Sequence, residues 1–176
     1  MKRASIFLFG VVSYAAFLAV FLYAIGFLGN FGVPKSMDSP SAIPWPAAMF
    51  ADIGLLGIFA IQHSVMARKG FKQMVTRFVP EAAERSLYVL ASSAALMFLF
   101  WKWQPLGGVI WDIQHPMGRA LMYGGFGFGL ALVLTTTFVI NHFDLFGLRQ
   151  VWRNLLGLPQ ARVPFVAPVF YRIVRH

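Results

Sequence analysis

The sequence predicts an all-α, polytopic membrane protein, a bundle with about four transmembrane helices. Hydrophobic residues make up 59% of the chain and charged residues 12%, whereas about a quarter of the residues in a soluble domain are charged. The mean hydropathy of +0.68 is an average over all 176 residues, so several apolar segments contribute to it. The absence of cysteine excludes disulfides, cysteine nucleophiles and thiolate metal sites, and we expect no metal site.

Each predicted span is close to the ~20 residues that a helix needs to cross a bilayer core. The spans are predicted at about residues 5–28, 47–66, 86–103 and 120–140 of a single membrane domain, residues 1–176. The prolines and glycines of residues 29–46 exclude a helix interior there. At the end of span three, Trp101 and Trp103 are expected in an interfacial belt, with Lys102 reaching outward.

The distribution of Lys and Arg predicts the orientation. Two precede span one, five lie between spans two and three, and five follow span four. The other connections carry only Lys35, Lys102 and Arg119. Because basic residues are retained on the cytoplasmic side, we expect the N-terminus, the second connection and the tail in the cytoplasm. The net charge of +9 is then explained by basic cytoplasmic connections rather than by nucleic-acid binding.

Two further features concern packing. Gly125 and Gly129 form a G-x-x-x-G pair in span four, which is typical of a close contact between helices. In the tail, residues 143–176, Leu145 to Leu155 alternate apolar and polar side chains at helical spacing. This spacing predicts an amphipathic helix at the membrane interface.

Two polar clusters lie near the cytoplasmic ends of predicted spans two and four. Gln62, His63 and Ser64 follow one another in span two, and Asn141 and His142 end span four. Polar side chains in a bilayer are costly and mark functional sites by default. Both spans run in the same direction, so the two histidines are expected at similar depth, where a site could take a charged cofactor from the cytoplasm and an apolar substrate from the membrane. They could instead ligate a b-type haem, and that alternative stays open.

Three segments carry a resemblance to a known family. They are FAIQHSVMAR (59–68), ERSLYVL (84–90) and NHFDLFGLRQVW (141–152). Together they resemble membrane methyltransferases of the methanethiol S-methyltransferase type, which are related to NnrU-like and isoprenylcysteine carboxyl methyltransferase proteins. The third segment is the most discriminating. The resemblance implies a membrane enzyme that uses S-adenosylmethionine to methylate a small thiol, converting methanethiol to dimethyl sulfide.

The end of the chain departs from the family pattern. There the cofactor site is built around an Arg-His-Pro-x-Tyr type motif, whereas this sequence ends at Arg175 and His176. The resemblance implies that these two residues bind the cofactor. It also implies that residues 1–176 are the N-terminal part of a longer enzyme and are inactive or nearly so alone.

Residue type and depth suggest roles in thiol methylation. A thiol needs a base or a nearby cation to become a good nucleophile. His63 or His142 is predicted as that base, and Arg149 as a cation near the thiolate or the cofactor carboxylate. Gln62, Ser64 and Asn141 are predicted to contact the substrate. Because the first two segments are shared with the wider NnrU-like group, a non-catalytic carrier or assembly factor is the alternative.

Overall fold

A computed structural model describes residues 2–109 and 112–160. Within them lie seven helices: α1 (Arg3–Gly29), α2 (Trp45–Ala67), α3 (Lys69–Val75), α4 (Glu81–Lys102), α5 (Pro116–Ile140), α6 (His142–Leu145) and α7 (Leu148–Leu155). Four of them, α1, α2, α4 and α5, are long and apolar enough to cross a membrane. The prediction of an all-helical bundle with four spans is therefore confirmed.

Spans three and four begin earlier than the hydropathy pattern predicted. Helix α4 begins at Glu81, with Glu84 also in its first turn, and acidic side chains there interact favourably with the helix dipole. Helix α5 begins at Pro116, since proline at the first helical position loses no hydrogen bond. Both starts extend the spans into residues that the sequence analysis placed in connections.

The basic connection and the tail contain helices with different bounds from those predicted. Residues 69–75, expected as part of a connection, form α3. The predicted tail helix is interrupted by Gly147, which has a φ of 87° and precedes α7. A Cβ atom at Gly147 would lie 2.8 Å from Ser86 Oγ, so a glycine lets the α6–α7 turn pack on α4.

Helices α1 and α4 form the central pair, with α2 against α4 and α7 against both α1 and α4. At one end the core consists of Val20, Phe27, Leu55, Leu99 and Phe100. At the other end it consists of Ile6, Ala82, Ala83 and Val151. Small residues allow this second contact, because a Cβ atom at Gly10 would lie 2.5 Å from Val151 Cγ2. Such close approach through small residues is typical of helices packed in membranes.

The prediction of a close contact at Gly125 and Gly129 is wrong for the described part of the chain. No atom outside α5's own backbone lies within 4 Å of a Cβ placed on either glycine. Helix α5 also has no buried residue. The surface of α5 at these two glycines therefore has no packing partner among residues 2–109 and 112–160.

At the end of the bundle that holds the first core cluster, α4 is joined to the loop after α1 and to α2. Lys35 Nζ donates to the carbonyl of Trp101 at 2.9 Å, and Asp52 Oδ1 accepts from the backbone N–H of Gln104 at 2.8 Å. Trp101 is exposed, with Lys102 Nζ 3.9 Å from its ring centre, as a belt residue would be. Trp103, in contrast, is not exposed as a belt residue would be. It turns inward, and its Nε1–H donates to the carbonyl of Met37.

Candidate active site

A polar cleft opens at the other end of the bundle, where α3, α4, α6 and α7 meet. Its volume of about 350 Å³ lies in the range of small-molecule sites. The lining residues combine both signs of charge with amide groups: Lys72, Glu81, Glu84, Arg85, Ile140, Asn141, Asp144, Leu145, Gln150 and Gln160. The start of α1 lies at this end too, because the rings of Phe7 and Trp152 pack 5.7 Å apart.

Arg85 connects the parts of this site. Its Nε–H donates to the carbonyl oxygen of Leu145 at 2.8 Å, which joins α4 to α6. Its guanidinium carbon lies 5.4 Å from the centre of the Tyr88 ring, within cation–π range. Its two terminal nitrogens have no hydrogen-bond acceptor within residues 2–109 and 112–160. They can therefore form the paired hydrogen bonds by which arginine holds a carboxylate.

Arg149, predicted as a cation near the thiolate or the cofactor carboxylate, forms an ion pair with Asp144. Its Nη1 is 2.8 Å from Oδ2 of Asp144, with 44% of the Arg149 side chain exposed and 10% of that of Asp144. Because one charge partner is already present, Arg149 is placed to orient the carboxylate that lines the cleft.

Asn141 holds an unusual backbone conformation where α5 ends and α6 begins. Its φ is 131°, a value that is costly for a residue with a side chain and is often found at functional sites. The side-chain Oδ1 accepts from the N–H of Asp144 at 3.4 Å, which stabilises the start of α6. The chain is thereby bent so that Asn141 and Asp144 both line the cleft.

His142 is buried, with both ring nitrogens hydrogen-bonded. Thr137 Oγ1 donates to the carbonyl of Leu134, so this oxygen accepts from His142 Nδ1–H at 2.8 Å. The acceptor Nε2 then receives the hydroxyl hydrogen of Tyr14 at 2.7 Å. The Phe138 ring stacks 4.2 Å away, and burial lowers the pKa of His142 below its usual value. These contacts hold the ring neutral and leave neither nitrogen free.

His63 is in a different situation. Its side chain is exposed at the surface of α2, with Nε2 2.8 Å from the Tyr88 hydroxyl and Nδ1 3.3 Å from Ser92 Oγ. Gln62 Nε2 also donates to Ser92 Oγ at 3.4 Å. Hydroxyl groups can donate or accept, so these neighbours fix no tautomer of His63.

Comparison with known proteins shows close relatives along the whole chain. The chain is 50% identical over 176 residues to methanethiol S-methyltransferase of Mycobacterium tuberculosis, covering all of this chain and 72% of the relative. It is 49% identical over 176 residues to the enzyme of that name from Crocosphaera subtropica, covering 69% of that relative.

The chain belongs to the methanethiol S-methyltransferase family. The resemblance carried by the three segments is thereby confirmed, and the chain is a membrane-bound methyltransferase. These relatives are named as methyltransferases, and not as carriers or haem proteins. Both ring nitrogens of His142 are hydrogen-bonded to hydroxyl groups, so neither is free for an axial bond to haem iron.

More distant and negative findings complete the comparison. Nurim of Sus scrofa is 30% identical over 142 residues, which are 72% of this chain and 54% of that protein. No family model matches the chain, and no solved structure matches it.

The structure brings the predicted residues of this methyltransferase into two groups on either side of the start of α4. Gln62 and His63 lie with Tyr88 and Ser92 on one side, and Asn141 lies in the cleft on the other. Within residues 2–109 and 112–160, no hydrogen bond or ring contact joins His63 to His142. Ser64 is exposed and has no side-chain partner there. Arg175 and His176 lie outside the described residues.

Three residues of the site, Arg85, Tyr88 and Tyr14, had no role predicted from the sequence. Arg85 and Tyr88 lie three residues apart inside the segment ERSLYVL, so they share a face of α4, and that spacing was an available signal. Tyr14 stands in the apolar first span, and its contact with His142 joins residues 128 positions apart. Nothing local in the sequence indicates that pair.

Proposed function

We propose that this chain transfers a methyl group from S-adenosylmethionine to methanethiol, with dimethyl sulfide as the product. The observation that most supports this proposal is the mixed-charge cleft, which is joined through Arg85 to the His63–Tyr88 pair in a member of the methanethiol S-methyltransferase family. The proposed donor site is the cleft, and the proposed thiol site is beside His63.

The residues of the cleft fit the chemistry of this donor. The carboxylate of S-adenosylmethionine suits the free nitrogens of Arg85. The ammonium and ribose hydroxyl groups of the same donor suit Glu81 and Glu84. The amides of Asn141 and Gln150 can contact the adenine edge. The predicted contributions of Arg175 and His176 remain part of this proposal. When bound, the donor supplies an electrophilic methyl group on a sulfonium that departs as a neutral thioether.

His63 is proposed to take the proton from the thiol. The S–H bond of methanethiol breaks, its proton goes to a ring nitrogen of His63, and the sulfur lone pair forms the new bond to the methyl carbon. Tyr88 orients the imidazole through its hydroxyl at 2.8 Å. Phe59, with its ring 5.4 Å from that of His63, gives this site an apolar wall suited to a small thiol. Gln62 and Ser64 stay as proposed substrate contacts on the same helix.

The other predicted site residues take supporting roles in this proposal. His142 positions the α5–α6 junction through Tyr14 and Thr137 rather than acting as the base. Arg149 orients Asp144 in the cleft wall.

We further propose that the cleft faces the cytoplasm. The first residues of α1, the α3 segment and α7 all lie at the cleft end, and these carry most of the Lys and Arg of the chain. Retention of basic residues in the cytoplasm then places the N-terminus and residue 160 inside. This orientation gives a charged, cytosolic donor direct access to the cleft.

Membranes that contain the protein should form dimethyl sulfide from methanethiol only when S-adenosylmethionine is added. Gas chromatography of the headspace measures the product, and a methyl-labelled donor shows where the new methyl group comes from. The assay uses residues 1–176 and the same residues joined in frame to the C-terminal segment of the Mycobacterium relative, because the chain covers 72% of that protein. Absence of labelled dimethyl sulfide from both, with the protein inserted, would refute the proposal.

A further inference from the structure

We propose that α3 is an interfacial anchor that binds the headgroups of anionic phospholipids. Helix α2 ends at Ala67 and α4 begins at Glu81, and both are membrane spans. The short segment between them therefore lies where two spans leave the bilayer. Its main packing partner is α2, so most of its surface faces the membrane boundary.

One face of this segment is apolar and only partly covered by the protein. Phe71, Met74, Val75 and Phe78 follow the spacing that places side chains on a single helix face. The backbone turns continue past α3, since the N–H of Phe78 donates to the carbonyl of Val75 at 3.0 Å. Met74 is 49% exposed and Phe78 is 85% exposed. At the boundary of a bilayer, acyl chains cover such a face.

Basic residues lie within α3 and close to both of its ends. Arg68, Lys69 and Arg77 are exposed, and their side chains form no hydrogen bond or ion pair with residues 2–109 and 112–160. Lys72, within α3, lines the cleft together with Glu81 and Glu84. The three exposed cations outside the cleft therefore have charge available for a phosphate group. Exposed cations next to exposed apolar side chains complement an anionic lipid better than a zwitterionic one.

Binding of phosphatidylglycerol to the detergent-solubilised protein tests this proposal, with native mass spectrometry to count bound lipids. We expect phosphatidylglycerol to bind more tightly than phosphatidylcholine. The triple variant Arg68→Gln, Lys69→Gln, Arg77→Gln should weaken phosphatidylglycerol binding by about a hundredfold, from the typical contribution of each basic residue at a membrane surface. All three side chains are exposed, so the helices should remain folded.

Two further variants distinguish an anchor from a merely charged surface. Met74→Ser with Phe78→Ser keeps every charge and should also weaken binding, because the acyl chains lose their contact. Arg119→Gln removes an exposed cation near the start of α5, at the end of the bundle away from the cleft, and should leave binding unchanged. Equal binding of the two lipids, or unchanged phosphatidylglycerol binding in the triple variant, would overturn the proposal.

Discussion

Replacement of His63 by alanine is expected to lower kcat by about 10²–10⁴-fold, the usual contribution of a general base. The reason is that the thiol would lose its proposed proton acceptor, the imidazole that lies 2.8 Å from the Tyr88 hydroxyl. Initial rates of dimethyl sulfide formation measure the effect in the form of the enzyme that is active. His115→Ala is the matched control, since His115 is an exposed histidine at the start of α5.

His142→Ala should behave differently from His63→Ala. Burial lowers the pKa of His142 from 6.5, so the unfolded chain binds a proton more readily than the fold does. Its contribution to the free energy of unfolding is therefore present above pH 6.5 and is lost as the pH falls toward the lower pKa of the folded state. Loss of stability with kcat largely retained would agree with a positioning role. A kcat that falls with His142→Ala and not with His63→Ala would assign the base to His142.

Arg85→Gln is expected to raise the KM for S-adenosylmethionine by about ten- to a hundredfold, because a hydrogen bond to a charged group contributes roughly 1.5–3 kcal/mol. The variant loses the cation that faces the cleft and the donor to the Leu145 carbonyl at 2.8 Å. Arg85→Lys keeps the charge without the paired geometry, so it should restore only part of the affinity.

Two other arginines serve as comparisons for Arg85. Arg153 lies at the same end of the bundle but donates to the carbonyl of Pro159, so Arg153→Gln should leave the KM unchanged. If Arg149→Gln raises the KM and Arg85→Gln does not, the donor carboxylate lies at Arg149, as residue type alone first indicated.

The four spans could be predicted because hydropathy over a long segment depends on composition alone. The helix boundaries differ from the predicted ones, because they depend on individual residues and their contacts. Because Glu81 and Glu84 are charged, they were predicted to lie in a connection. Acidic side chains in the first turn of a helix stabilise it, however, and both residues belong to α4. Gly147 interrupts the predicted tail helix, and its close approach to Ser86 of α4 could not be seen in the sequence.

The candidate site was predictable to a lesser degree. His63 and His142 stood out because polar residues in an apolar span are rare, and both lie toward the cleft end of their helices. Their different environments could not be foreseen, since Tyr14 approaches His142 from a helix 128 residues away. The pairing of Arg149 with Asp144 could have been predicted from their short separation in the sequence. The position of Arg85 could not, because it depends on the turn that brings the Leu145 carbonyl to this side chain.

Site-specific labelling tests most directly whether the cleft is a cytoplasmic donor site. The chain has no cysteine, so single substitutions can be labelled without background. Ile140→Cys places a thiol in the cleft wall, Arg68→Cys places one outside the cleft at the same end, and Ala42→Cys places one in the exposed loop at the opposite end.

A membrane-impermeant maleimide is expected to label Ile140→Cys and Arg68→Cys only from the cytoplasmic side, and Ala42→Cys only from the outer side. S-adenosylmethionine should slow the labelling of Ile140→Cys and leave that of Arg68→Cys unchanged. Labelling of Ile140→Cys from the outer side, or at a rate that saturating donor does not change, would show that the cleft is not a cytoplasmic donor site.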